Sequence, residues 1–367
     1  LPEVELWSIE EPTLYHVAIE LRENDTPVGA YEYRIGFREI EITPTGFSLN
    51  GEPRKLRGLN RHQSFPYVGY AMPRSAQRRD AEILKFELGV NAVRLSHYPQ
   101  SRHFLDRCDE VGLLVFDEIP GWQHVGDREW QDVAVQNVRE MILTDGNHPS
   151  VFIWGVRINE SQDDDAFYTR TNQTARNLDD SRPTGGVRNH TGSRLLEDVY
   201  TYNDFSHAGN NSGLVRRRAV VRGTVPYMVT EHNGHMFPTK KYDDEPHRLE
   251  HAKRPLAVLE SLYAHREITG AFGWCMADYY THRDFGSGDR ISYHGVTDMF
   301  RIPKLAAAVY ASQQEERPVL TVANSMSIGE HPGSFLGEIY VFTNCDFVRV
   351  HKGERPVGDF YPRRDRY

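Results

Sequence analysis

Glu160 and Glu231 each close a short apolar run with the length and composition of a buried strand. The first run, Val151-Phe152-Ile153-Trp154 with Val156 and Ile158, stops at Asn159-Glu160-Ser161. It is apolar nearly throughout, as a parallel strand covered on both faces requires. The second run, Thr224 to Glu231, turns at His232-Asn233-Gly234. In a parallel α/β barrel, the C-terminal strand ends point functional side chains into the pocket. Two strands that each deliver a carboxylate at that end suit cleavage of a glycosidic bond. That reaction needs an acid/base and a nucleophile on either side of the scissile bond. The ordinary alternative is a pair of solvated loop glutamates, the fate of most residues of that type.

Further polar motifs fall at the same strand ends: Arg57-Gly58-Leu59-Asn60-Arg61-His62, Arg94-Leu95-Ser96-His97-Tyr98-Pro99, and Trp274 within Gly270 to Tyr280. Together with His148-Pro149-Ser150-Val151 leading to Asn159-Glu160, these stretches make the chain resemble glycoside hydrolase family 2, the β-galactosidase and β-glucuronidase family. The resemblance runs through most of the chain. It implies Glu160 as acid/base and Glu231 as nucleophile, with His62 and His97 contacting the sugar or stabilising the transition state. It implies Asn159 on the sugar 2-hydroxyl and Trp274 as the floor of the sugar site. Asp278, just past Trp274, could accept a sugar hydroxyl, or be a solvated carboxylate. For the histidines and Trp274 the alternative is a satisfied core role.

On that resemblance Glu160 protonates the glycosidic oxygen while Glu231 attacks the anomeric carbon. A covalent glycosyl-enzyme forms, and Glu160 then activates the water that releases it. Configuration is retained, and the carboxyl groups stand about 5–5.5 Å apart. Glu160 must be protonated at working pH, so its surroundings, including the Glu231 charge, should raise its pKa. The expected reaction is that of a retaining, exo-acting β-glycoside hydrolase, most simply a β-galactosidase. The alternatives are a β-glucuronidase or β-mannosidase of the same family, or a sugar-binding barrel without catalysis. Glucuronidases of the family carry an Asn-x-Lys motif that reads the sugar carboxylate, and this chain has none. Two departures stand out. Phe205 takes the place of a family tyrosine that hydrogen-bonds the nucleophile, so either Tyr200 or Tyr202 replaces it or that bond is absent. Trp122 takes an acidic place that, with a histidine matched by His124, holds magnesium in the lactose-cleaving members. No metal and no cofactor are therefore expected.

The elements that must position these groups alternate from Lys55 to Gln314, which predicts an α/β fold with the parallel sheet closed as a (β/α)8 TIM barrel. Strands are expected at Leu56–Asn60, Asn91–Ser96, Leu113–Asp117, Val151–Asn159, Thr184–Arg188, Asp198–Tyr202, Tyr227–Thr230 and Gly270–Ala277. Helices are expected from Ser75, as N-cap, to Leu88, and over Ser101–Val111, Pro246–Glu267 and Pro303–Gln314. Residues 1–50 read as the end of an immunoglobulin-like β-sandwich, 51–316 as the catalytic barrel and 317–367 as the start of a C-terminal sandwich. The chain thus reads as a fragment centred on its barrel.

Composition excludes other classes. A formal net charge of −9 over 367 residues argues against a nucleic-acid partner, which needs a basic footprint. No apolar run is long enough for a membrane span. Cys108, Cys275 and Cys345 are odd in number and lack metal spacing, and the first two read as buried thiols. A metal-dependent hydrolase, the reading that 17 histidines invite, wants a His-x-His on the first strand, which is absent. The expected partner is a carbohydrate, with oligomerisation left open, as is a periplasmic, secreted or cytoplasmic location.

Overall fold

The computed structural model describes residues 3–206, 213–233, 237–326 and 337–362. Eight strands close into one barrel: β1 (Leu56–Arg61), β2 (Ala92–Leu95), β3 (Leu114–Glu118), β4 (Val151–Gly155), β5 (Thr184–Arg188), β6 (Val199–Asp204), β7 (Tyr227–His232) and β8 (Gly270–Gly273). Each strand pairs in parallel with its sequence neighbours, and β8 closes the ring on β1. Around it stand α1 (Arg74–Glu82), α2 (Arg102–Val111), α3 (Arg128–Asp145), α4 (Asp165–Leu178), the short α5 (Arg217–Val220), α6 (Glu245–Ala264) and α7 (Leu305–Ala311). Small antiparallel sheets flank the barrel: Tyr15–Glu23 with Thr26–Ile35, a three-stranded sheet within residues 40–54, and two pairs after residue 319.

Local chemistry explains most boundaries. Ser101 caps α2 by accepting a bond from the His103 amide, and Gly112, at φ 72°, ends it in the left-handed conformation that glycine adopts without cost. Ser75 is not a cap, contrary to expectation: the helix starts directly after Pro73, in extended backbone, so Ser75 lies inside the first turn. Beyond Glu82 the helix widens into a π-turn over Ile83–Glu87. The fourth strand is shorter than its apolar run suggests. Regular pairing stops at Gly155, where a Cβ would come within 2.3 Å of the Glu118 Cβ.

The core has two layers. Inside the barrel, Leu56, Leu114, Phe116, Phe152, Val187, Val199, Met228 and Phe272 meet Trp7, Ile9, Phe47 and Leu49 from the N-terminal segments. Those segments plug one end of the barrel, with the Phe47 ring set edge-on against Phe152 at 5.7 Å. Between barrel and helices lies the second layer, which includes Trp154, fully buried. Its indole N–H donates to Asp179 at 2.9 Å, and the Arg182 guanidinium lies 5.2 Å from its ring. Trp154→Ala is expected to cost about 3–5 kcal/mol through lost burial and a residual cavity. An unfolding midpoint in denaturant unchanged from wild type would contradict that packing. No described helix is long and apolar enough to cross a membrane.

Candidate active site

At the C-terminal strand ends the barrel interior turns from apolar to polar around one guanidinium. Arg94 of β2 is fully buried and donates to both oxygens of Glu118, the last residue of β3, at 2.8 and 2.9 Å. Its other arm reaches Glu231 Oε1 of β7 at 2.8 Å and Asn60 Oδ1 at 3.1 Å, and Nη2 also donates to Asn159 Oδ1 at 2.9 Å. Four strand ends and the segment that follows β4 are therefore locked together by hydrogen bonds from a single cation, each strengthened by its charge.

His97 completes this layer. It contacts Glu118 Oε1 through Nδ1 at 2.8 Å and Asn159 Nδ2 through Nε2 at 3.3 Å, and Nε2 lies 3.8 Å from Glu231 Oε1. Burial holds the imidazole below its usual pKa despite the Glu118 bond. The consistent state is therefore a neutral ring that donates from Nδ1 and accepts at Nε2. The Asn159 amide is oriented in turn, its oxygen toward Arg94 and its nitrogen toward the cavity-lining His97. Burial by itself raises the Glu118 carboxyl, but the Arg94 charge and the His97 bond more than offset it, so Glu118 lies below the carboxylate range.

Glu160 is held differently. It lies five residues beyond the end of β4, and its backbone sits at φ 56°, where a side chain other than glycine's is strained. Its amide donates to Val187 O at 3.1 Å, anchoring the turn to β5. The carboxyl accepts from Trp122 Nε1 at 3.0 Å and Gln123 Nε2 at 3.2 Å, both on Oε2, and from Asn203 Nδ2 at 3.0 Å on Oε1. Such strain persists only where the surroundings over-determine it, as the Val187 anchor and the three side-chain bonds do here.

Glu160 and Glu231 line one cavity of about 650 Å³, with His62, His97, Asn159 and Trp274. The His97 ring stacks on Trp274 at 5.3 Å and 9°. His62 packs against Tyr279 at 4.3 Å and lies 3.2 Å from the Tyr98 hydroxyl. Asp278 is the exception among the expected residues. It is buried outside the cavity lining, with Oδ1 held by Lys304 Nζ at 2.6 Å and the Gly295 amide at 2.9 Å. Burial pushes its carboxyl up to about 7, against the pull of Lys304. It is a structural ion pair and not a sugar contact.

Phe205, without a hydroxyl, lines the cavity. Tyr200 lies instead under the Arg188 guanidinium at 4.7 Å, and Tyr202 packs against the outer core. The residues near Glu160 do not fit a magnesium ion: Trp122 presents an N–H donor where an acidic ligand is required, and the exposed His124 ring packs against Trp130 at 5.7 Å.

Glu231 carries the perturbed carboxyl. Burial pushes its pKa from 4.5 up to about 8; Arg94 opposes the shift and the Glu160 charge adds to it. The pKa is raised on folding, so the stabilising contribution of the neutral form is complete below 4.5 and is lost as pH rises toward 8. Glu231→Gln lacks that loss. Its Tm relative to wild type is expected to be higher at pH 8 than at pH 5, by roughly 2–4 °C for each ~1 kcal/mol relieved. Equal differences at the two pH values would show that Glu231 titrates normally.

The family profile described as "Glycosyl hydrolases family 2, TIM barrel domain" matches residues 40–284, and that described as "Glycosyl hydrolases family 2" matches residues 1–38. A β-galactosidase of Thermoanaerobacterium thermosulfurigenes is 53% identical over 372 residues, covering 100% of this chain and 52% of that protein. A Rhizobium meliloti β-galactosidase is 42% identical, covering 95% and 48%. The chain spans about half the length of the curated relatives it matches. Among solved structures, a Bacteroides uniformis β-glucuronidase superposes with a TM-score of 0.83 at 25% identity, covering 98% of this chain and 48% of that one.

Proposed function

The chain belongs to glycosyl hydrolases family 2, and on that premise we propose that it forms the catalytic barrel of a retaining, exo-acting β-galactosidase. Glu160 acts as acid/base and Glu231 as nucleophile. The observation that carries this reading is the asymmetry of the two carboxyls within one cavity. Glu231 is tied to a fixed guanidinium, whereas all three side-chain partners of Glu160 are neutral N–H donors.

A proton shared by the two groups is directed by that asymmetry. Burial favours protonation of Glu231, but Arg94 at 2.8 Å favours its anion. In the reactive form Glu231 is the anion held by Arg94, and Glu160 presents the proton to the glycosidic oxygen. Turnover therefore requires that the proton which burial places on Glu231 before substrate binds has left it. Glu231 attacks the anomeric carbon, and the covalent glycosyl-enzyme is hydrolysed with Glu160 as base. Asn159 and His97 are placed to meet the 2-hydroxyl beside Glu231, and Trp274 and His62 to bound the ring.

A neutral sugar is favoured over a glucuronide. The described cavity lining includes the two carboxyls, with aromatic, histidine, amide and hydroxyl groups and no lysine or arginine, which disfavours a sugar carboxylate. The β-galactosidase relatives at 42–53% identity support the same choice. On the same footing, residues 1–50 and 317–367 are proposed as parts of immunoglobulin-like sandwiches beside a barrel over 51–316. A panel of aryl β-glycosides tests the substrate. Galactoside cleavage with retained configuration is expected, and cleavage of the glucuronide alone would overturn the assignment.

A further inference from the structure

The cavity extends past the groups that would hold one sugar. Trp122, His282 and Phe285 line it on the side of Glu160. The Trp122 and His282 rings are 6.0 Å apart, and the His282 and Phe285 rings 5.5 Å, edge to face. Trp122 is 39% exposed even though its N–H is engaged by Glu160, so its ring is open while its position is fixed.

Resting on the reading of Glu160 as the acid, we infer that Trp122, His282 and Phe285 form the subsite for the leaving group. This subsite selects an aglycone with a flat, apolar ring face, either a second pyranose or an aryl group. The leaving oxygen must come within hydrogen-bond reach of the acid. The indole that donates to Glu160 Oε2 therefore borders the path of whatever is attached to that oxygen. Sugar-contact candidates lie on the other side, where His97 Nε2 is 3.8 Å from Glu231.

The shelf is built in advance. The Arg283 guanidinium lies over the Phe285 ring at 4.9 Å. Asp284 accepts from the amides of Gly286, Ser287 and Gly288 at 2.8, 2.9 and 3.2 Å, holding the loop that carries both rings. A ring face set against such groups gains from offset or edge-on contacts beyond its buried area. A cavity of about 650 Å³ lies within the range for drug-sized ligands, which leaves room beyond a monosaccharide.

The test uses the full chain and three substrates with one glycone: a phenyl glycoside, a fluoroalkyl glycoside of matched leaving-group acidity, and a disaccharide. Phe285→Ala and His282→Ala are expected to lower the phenyl-to-fluoroalkyl ratio of kcat/KM by about 3- to 10-fold, the worth of one aromatic contact. The disaccharide-to-fluoroalkyl ratio falls in parallel if the shelf takes pyranoses, whereas a fall confined to one ring substrate names that ring as its ligand. Equal changes on all three substrates would overturn the subsite alone. A wild-type chain that cleaves none of them would overturn the glycosidase reading and the subsite with it.

Discussion

Glu160→Ala is expected to lower kcat/KM on an alkyl β-galactoside by roughly 10²- to 10⁴-fold, the usual worth of a positioned general acid, and to affect a dinitrophenyl galactoside far less. An alkoxide needs the proton as it leaves and a dinitrophenolate does not. With the activated substrate the slow step shifts to release of the glycosyl-enzyme, and added azide should then restore turnover by entering the space that Glu160 vacates. The product is a β-galactosyl azide. Glu160→Gln gives a second readout. Like Ala, Gln cannot give up a proton, so this variant too should spare only the activated substrate while keeping the Asn203 side of the site filled. Equal losses on both leaving groups would remove the acid role.

The strand order and the two carboxylates were legible because a buried parallel strand has a strong signature: an unbroken apolar run stopped by a polar residue. Every barrel strand lies within two residues of its expected start. The ends were harder, because an apolar run does not announce where pairing stops. Val156 and Ile158 are as buried as Val151, yet they follow the last regular residue of β4. Glu160 was expected to be held by a strand. It is held by a strained turn and by three side chains from other loops and strands.

The polar layer beneath the cavity was the part least visible. Glu118 closes an apolar run just as Glu231 does, and the same argument could have singled it out. Arg94 and Asn203 carry no such sign, since their roles exist only once five or six strand ends meet. Asp278 failed for the opposite reason. A carboxylate after a strand end was a fair candidate, but Lys304, 26 positions away, claims it. Trp122 could be read from sequence only as a missing metal ligand. Its indole contact with Glu160 needed the loop after β3 to be seen lying against Asn159, with the Gln123 amide bonded to Asn159 O at 2.8 Å.

The strongest expected effect belongs to Glu231. Its replacement by Ala should lower kcat on every galactoside by about 10⁵-fold or more, the scale seen when a covalent nucleophile is removed. Leaving-group acidity should not moderate the loss, in contrast to Glu160→Ala. A 2-deoxy-2-fluoro galactoside with a good leaving group should trap the intermediate, because fluorine slows release while the leaving group speeds attack. Peptide mapping should place the label on Glu231. Its carboxyl is fixed at the end of β7 by Arg94, which is itself braced by Glu118, so the attacking oxygen is held without a flexible loop. Other glutamates nearby in sequence lack that setting: Glu245 bonds Asn324 and the Ser325 amide, and Glu250 lies beside Arg254 on the same helix. Label on either would move the nucleophile, and inversion of the anomeric configuration would remove the covalent mechanism altogether.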